Sequence, residues 1–174
     1  MKSMTKAGVG AVATLAILAI GGGLFIESGF YDIGADHHHT KVVLAVIERL
    51  RERSIAARAR AVQVQDLDDP GRMAAGARHY AALCAGCHLA PGVTKSDVRP
   101  GLYPHPPNLA QEDITDTRRA FWIIKHGIKM SAMPAWGKSL DDATIWDIVA
   151  FTRRMPTMSP ETYQQLSKSL TEGS

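Results

Sequence analysis

The sharpest chemical signal in this chain is Cys84-Ala-Gly-Cys87-His88. Two thiols three positions apart admit three uses: half of a zinc site, a dithiol redox pair, or an attachment point for heme. Zinc would need a second ligand pair at suitable spacing, and the chain has no other cysteine. A redox pair belongs in a strand–helix–strand context, which is missing here, and it leaves His88 unexplained. Cys-x-x-Cys-His is the c-type heme attachment signature. The thiols add to the vinyl groups, and the turn between them brings the adjacent imidazole beneath the iron. The expectation is therefore one covalent heme c on Cys84 and Cys87, with His88 as an axial iron ligand.

Gly76 and Tyr80 stand eight and four positions before Cys84. This spacing resembles the first helix of class I cytochromes c, Gly-x-x-x-aromatic-x-x-x-Cys-x-x-Cys-His. The resemblance covers roughly residues 72–156. It implies an all-α domain in which the glycine lets the last helix cross closely and the aromatic packs in the crossing. Residues 141–154 supply the matching helix, with Trp146, Val149, Ala150 and Phe151 at helical spacing. Two methionines, Met130 and Met133, could complete the iron coordination. Met133-Pro-Ala-Trp136-Gly resembles the family's ligand loop, so the resemblance implies Met133 as the second axial ligand, with Met130 as the fallback. Tyr80 and Trp136 are expected to pack at the heme. Tyr103-Pro-His-Pro-Pro107-Asn-Leu109 is too rich in proline to be helix interior. It resembles the stretch whose proline carbonyl receives a hydrogen bond from the ligating histidine. Pro107 takes that role here, and Pro106 stands where the family has glycine. His105 is an alternative axial ligand, but a site with two histidines leaves Met133 unexplained.

The elements that must position these groups begin with Ala7–Ile26, twenty residues without charge or proline. At about 1.5 Å per residue they span roughly 30 Å, the thickness of a bilayer's hydrocarbon core. A cleaved signal sequence has the same order of parts, but its apolar region is shorter. The expectation is a retained single-pass anchor. Lys2 and Lys6 precede the run and acids follow it, which places the N-terminus in the cytoplasm and the rest outside. In a bacterium that means the inner membrane, with the heme domain in the periplasm. His37-His38-His39 reads as a solvated turn, because adjacent residues cannot all face one ion on a regular element. Residues 41–65 carry a helix pattern with Val43, Ile47 and Leu50 on one face. Two readings of this amphipathic linker stand: a solvated spacer packing one stripe on the domain, or an arm lying on a membrane or partner. Asp66-Leu-Asp-Asp-Pro70 breaks the pattern and reads as a domain boundary. The expected division is 1–6 cytoplasmic, 7–26 anchor, 27–69 juxtamembrane segment and linker helix, 70–158 heme domain, and 159–174 a C-terminal helix with a fraying tail. Within the heme domain a further helix is expected over 115–126, ended by Gly127.

Charge narrows the partners. The formal net charge is +3, and from Glu27 onward only +1 remains once Lys2 and Lys6 are set aside. A nucleic-acid binder would concentrate a basic field on its folded part, so that class is excluded. An iron held on both sides by His88 and Met133 has no vacant position for a substrate. The expected role is that of an electron carrier and not an enzyme. The resemblance implies respiratory chemistry, with a quinol-linked complex, a dehydrogenase or a terminal oxidase as partner. The rival is a peroxidase or a gas-binding heme sensor, which would need an open iron.

Overall fold

The computed structural model describes residues 2–168, and every regular element among them is helical. The chain divides into two units, residues 1–37 and 38–174. The first is built on α1 (Lys2–Glu27). Of it, Lys6–Glu27 is long and apolar enough to cross a membrane by length and composition. The helix stops where the Ser28 hydroxyl donates to the Phe25 carbonyl at 2.7 Å and accepts the Phe30 N–H at 3.2 Å. Gly29 then takes φ +63°, which removes the steric cost of turning out of the helix there.

The second unit runs α2 (Lys41–Ala59), α3 (Pro70–Leu83), α4 (Ala85–His88), α5 (Thr117–His126), α6 (Asp142–Arg154) and α7 (Pro160–Lys168). Each long helix starts on a residue suited to it. Asp69, Asp116 and Asp141 cap α3, α5 and α6 through their carboxylates, and Pro70 occupies the first turn of α3. The fraying expected of the chain end concerns residues 169–174, outside the described residues.

Helix α6 is the centre of the core. One side of it, with Phe151 and Met155, joins Ala77, Tyr80, Cys84 and Tyr163. Its other side, with Ile145, Trp146, Val149 and Ala150, joins Leu67 and Phe121. Phe121 and Trp146 stack with ring centroids 4.3 Å apart. Because α6 is buried all round, apolar residues occupy nearly every position from 145 to 151, and its pattern is broader than a single stripe.

The linker departs from the expectation in two ways. Its helix ends at Ala59 and not near Gln65, and the second compact unit begins at His38, so that α2 belongs with the domain it precedes. The row that faces the domain is Val43, Ile47, Ile55 and Ala59, the last two fully buried, while Leu50 is turned to solvent. Glu52 pairs with Arg119 on α5 at 2.7 Å. Beyond α2 the acidic stretch at 66–69 is a packed strap. Leu67 enters the core beneath Phe121 and Trp146, and Asp68 binds Arg153 and Arg154.

Candidate heme site

Helix α3 delivers the cysteines. Cys84 ends it, with its N–H on the Tyr80 carbonyl at 2.9 Å, and the chain turns at once into the single turn of α4. The N–H groups of Cys87 and His88 both point back to the Cys84 carbonyl, at 3.0 and 2.9 Å. Both thiols and the imidazole are thus fixed on one tight turn. Ser96 donates to the Gly86 carbonyl and closes the outer side of that turn. Leu89 leaves it at φ +61°, a left-handed conformation for a bulky residue, held by burial and by the Tyr80 hydroxyl donating to its carbonyl at 2.6 Å. Tyr80 itself lies fully buried in the α3–α6 crossing against Phe151.

The burial of the first thiol bears on the use of the pair. Burial pushes the Cys84 thiol up to about 12, with Cys87 adding to the effect. A dithiol redox catalyst needs the opposite, a thiol lowered toward neutrality so that a thiolate can attack. Burial also holds the His88 imidazole below its ordinary range; the Pro107 bond opposes this and the Arg99 cation adds to it. Burial thus favours the neutral ring. Its Nδ1 lies 3.0 Å from the Pro107 carbonyl, and since a carbonyl only accepts, Nδ1 carries the proton. The lone pair is left on Nε2, the tautomer that a metal-binding histidine uses. The Leu109 N–H donates to the His88 carbonyl at 3.1 Å, so the 105–109 loop grips His88 by ring and by backbone.

That loop is braced by Arg99, which sequence reasoning passed over. Its guanidinium donates to the Pro106 carbonyl at 2.8 Å and to His105 Nε2 at 2.6 Å. The second bond commits the His105 lone pair that a site with two histidine ligands would need. Arg99 Nε is buried and has no hydrogen-bond partner among the described residues. A half-buried cation with one buried donor left over fits a carboxylate-bearing group such as heme, as do the two thiols and the imidazole. The histidine tract also has contacts that its composition did not foretell: His38 stacks on Tyr103, and the His39 N–H donates to the Tyr103 hydroxyl at 3.2 Å.

The methionine loop leaves α5 at Gly127, where φ is +66°. A side chain there would meet the Met133 carbonyl oxygen and the Pro134 carbonyl carbon, both at 2.7 Å, so only glycine lets the loop close on the helix end. The Ile128 N–H donates to the Met133 carbonyl at 3.2 Å, and the Ser131 hydroxyl accepts the Met133 N–H at 3.2 Å. Met133 is half-buried and held at both ends of its peptide; Met130 is 74 % exposed. Trp136 is half-buried and opens a short 3-10 turn, Trp136–Lys138.

Residues 71–151 match the family model described as cytochrome c oxidase, cbb3-type, subunit III. The chain carries a c-type cytochrome domain. The match runs from α3 through most of α6, with Cys84, Cys87, His88, Pro107 and Met133 inside it; α1, α2 and α7 lie outside. No curated protein and no solved structure matches the chain. The cytochrome domain implies heme c and heme-mediated electron transfer.

Proposed function

We propose that the protein is a membrane-tethered carrier of single electrons with one heme, serving an oxidase complex on the periplasmic side of a bacterial inner membrane. The observation that carries this reading is the bond between His88 Nδ1 and the Pro107 carbonyl, with the closed Met133 loop as its counterpart. Bound heme supplies exchange of one electron between ferrous and ferric iron. Cys84 and Cys87 hold it by thioether bonds, and His88 offers Nε2 from an imidazole whose orientation Pro107 sets. Met133 offers a soft thioether sulfur, which favours the ferrous state. With His88 and Met133 both engaged, the site would exchange electrons without binding a substrate. Tyr80 and Trp136 would pack near the heme. The likeness to a cytochrome c oxidase subunit favours a terminal oxidase as partner over a quinol-linked complex or a dehydrogenase.

The test is reoxidation. The full-length protein, reduced and mixed with membranes containing a heme–copper oxidase, should be reoxidised rapidly, and cyanide should stop it. Carbon monoxide should scarcely bind the reduced protein. Stoichiometric binding of carbon monoxide with no reoxidation would favour the open-iron peroxidase or sensor reading. Intact mass should equal the whole chain plus one heme, and a mass beginning near Gly21 would make α1 a signal sequence.

A further inference from the structure

Helix α2 has two faces, and the domain uses only one. Val42, Val46 and Leu50, one turn apart on the other face, are 75 %, 64 % and 69 % exposed. Ala45 lies between them, and Lys41, Arg49 and Arg53 flank them. The nearest acid of α2 that makes an ion pair, Glu52, is committed to Arg119 and Arg51. The outward strip thus combines the apolar Val42, Val46 and Leu50 with the cations Lys41, Arg49 and Arg53. Three branched apolar side chains in a row on a solvated helix are costly unless something covers them.

We infer that the outward face of α2 rests on the anionic surface of the membrane that α1 enters, with Val42, Val46 and Leu50 at the acyl boundary and Lys41, Arg49 and Arg53 among the headgroups. This rests on α1 being a retained anchor. Three observations select lipid as the occupant. His38 is stacked on Tyr103, so the chain joins the domain there, and only residues 28–37 separate that point from the end of α1. Eleven peptide steps reach at most about 40 Å, which keeps α2 near the bilayer at all times. The strip carries three cations, the complement of anionic headgroups, and long Arg and Lys stems can lie along apolar surface while their charges reach phosphate. The connecting segment itself exposes Phe30 and Ile33, at 84 % and 88 %, residues suited to the same boundary.

The consequence is a restrained heme domain. A domain held only by a flexible tether would sample every orientation, whereas one resting on α2 presents a fixed side to partners in the same membrane.

Thioether attachment consumes Cys84 and Cys87, so a Val46→Cys variant of the holoprotein carries one free thiol for a nitroxide label. Asp113→Cys, on an exposed loop, is the reference. Each is placed, full-length, in nanodiscs of equal parts phosphatidylcholine and phosphatidylglycerol. The label at 46 should lose access to a water-soluble nickel complex and keep access to oxygen, while the label at 113 remains open to both. Arg49→Glu with Arg53→Glu should restore nickel access at 46. A full-length chain whose label at 46 is as open to nickel as that at 113 overturns the proposal and leaves the electron-carrier reading intact. Shielding that arises only in native membranes also overturns it, in favour of a protein partner. A shortened mass overturns the anchor, and the proposal with it.

Discussion

An ideal Cβ built on Gly76 would lie 1.9 Å from the carbonyl oxygen of Asp147. The two helices that frame the heme site therefore meet backbone to backbone, and the Arg72–Asp147 ion pair at 3.0 Å flanks the contact. Gly76→Ala would force α3 and α6 apart, a form of overpacking that costs about 1–3 kcal/mol or more. Holoprotein yield and the midpoint of chemical denaturation should both fall. An unchanged midpoint would mean that the crossing is looser than a backbone-to-backbone contact.

Arg99 places its charge where His88 feels it and braces the Pro106 carbonyl next to Pro107. A cation beside an iron-binding histidine would favour the ferrous state, so Arg99→Gln should lower the reduction potential. Arg99→Lys keeps the charge and should recover most of the potential while recovering less of the thermal stability, because lysine lacks the planar fork that reaches two acceptors. Redox titration of the three proteins is the check. Equal potentials for wild type and Arg99→Gln would confine Arg99 to holding the loop.

Acid should loosen the strap before it unfolds the helices. Hydrogen bonding from Arg154, with the charge of Arg153, holds the Asp68 carboxyl below its ordinary 3.8. The Thr144 N–H does the same for Asp141 at the start of α6. A carboxyl whose native pKa lies below its unfolded value adds stability that is complete above about pH 4 and disappears as pH falls through the native pKa. Asp147 works in the other direction, since burial raises it despite Arg72. Asp68→Asn should flatten the acid limb of the stability profile measured by denaturant titration. A profile that keeps its slope would assign acid sensitivity to Asp141 or to other carboxylates.

The legible parts of this chain were those in which one residue type has one use. Cys84, Cys87 and His88 form such a group, and the stop at Gly127 was readable from turn chemistry alone. The expected helices over 115–126 and 141–154 were found within two residues of those bounds. The strap at 66–69 was not legible, because three aspartates and a proline hide the one apolar residue, Leu67, that anchors it. The two faces of α2 were also misdivided. Val43, Ile47 and Leu50 share a half-turn in projection, and the buried row is the one packed toward α5, where Arg119 pairs with Glu52, far away in sequence. Arg99 looked like one more loop arginine. Only the folded position of its neighbours gives it a carbonyl, a histidine ring and an unpartnered Nε. The histidine tract was read as solvated, and a single distant ring, Tyr103, gives two of its members contacts.

The central claim is that the iron is closed on both sides, by His88 and by Met133, and the absorption of oxidised methionine variants tests it most directly. Met133 sits half-buried in a loop sealed against Gly127, whereas Met130 stands in solvent at φ +57°. Met133→Ala should abolish the sulfur-to-iron charge-transfer band, open the ferrous protein to carbon monoxide and lower the reduction potential. Met130→Ala should leave all three unchanged. Retention of the band in Met133→Ala, or its loss in Met130→Ala, would contradict the account.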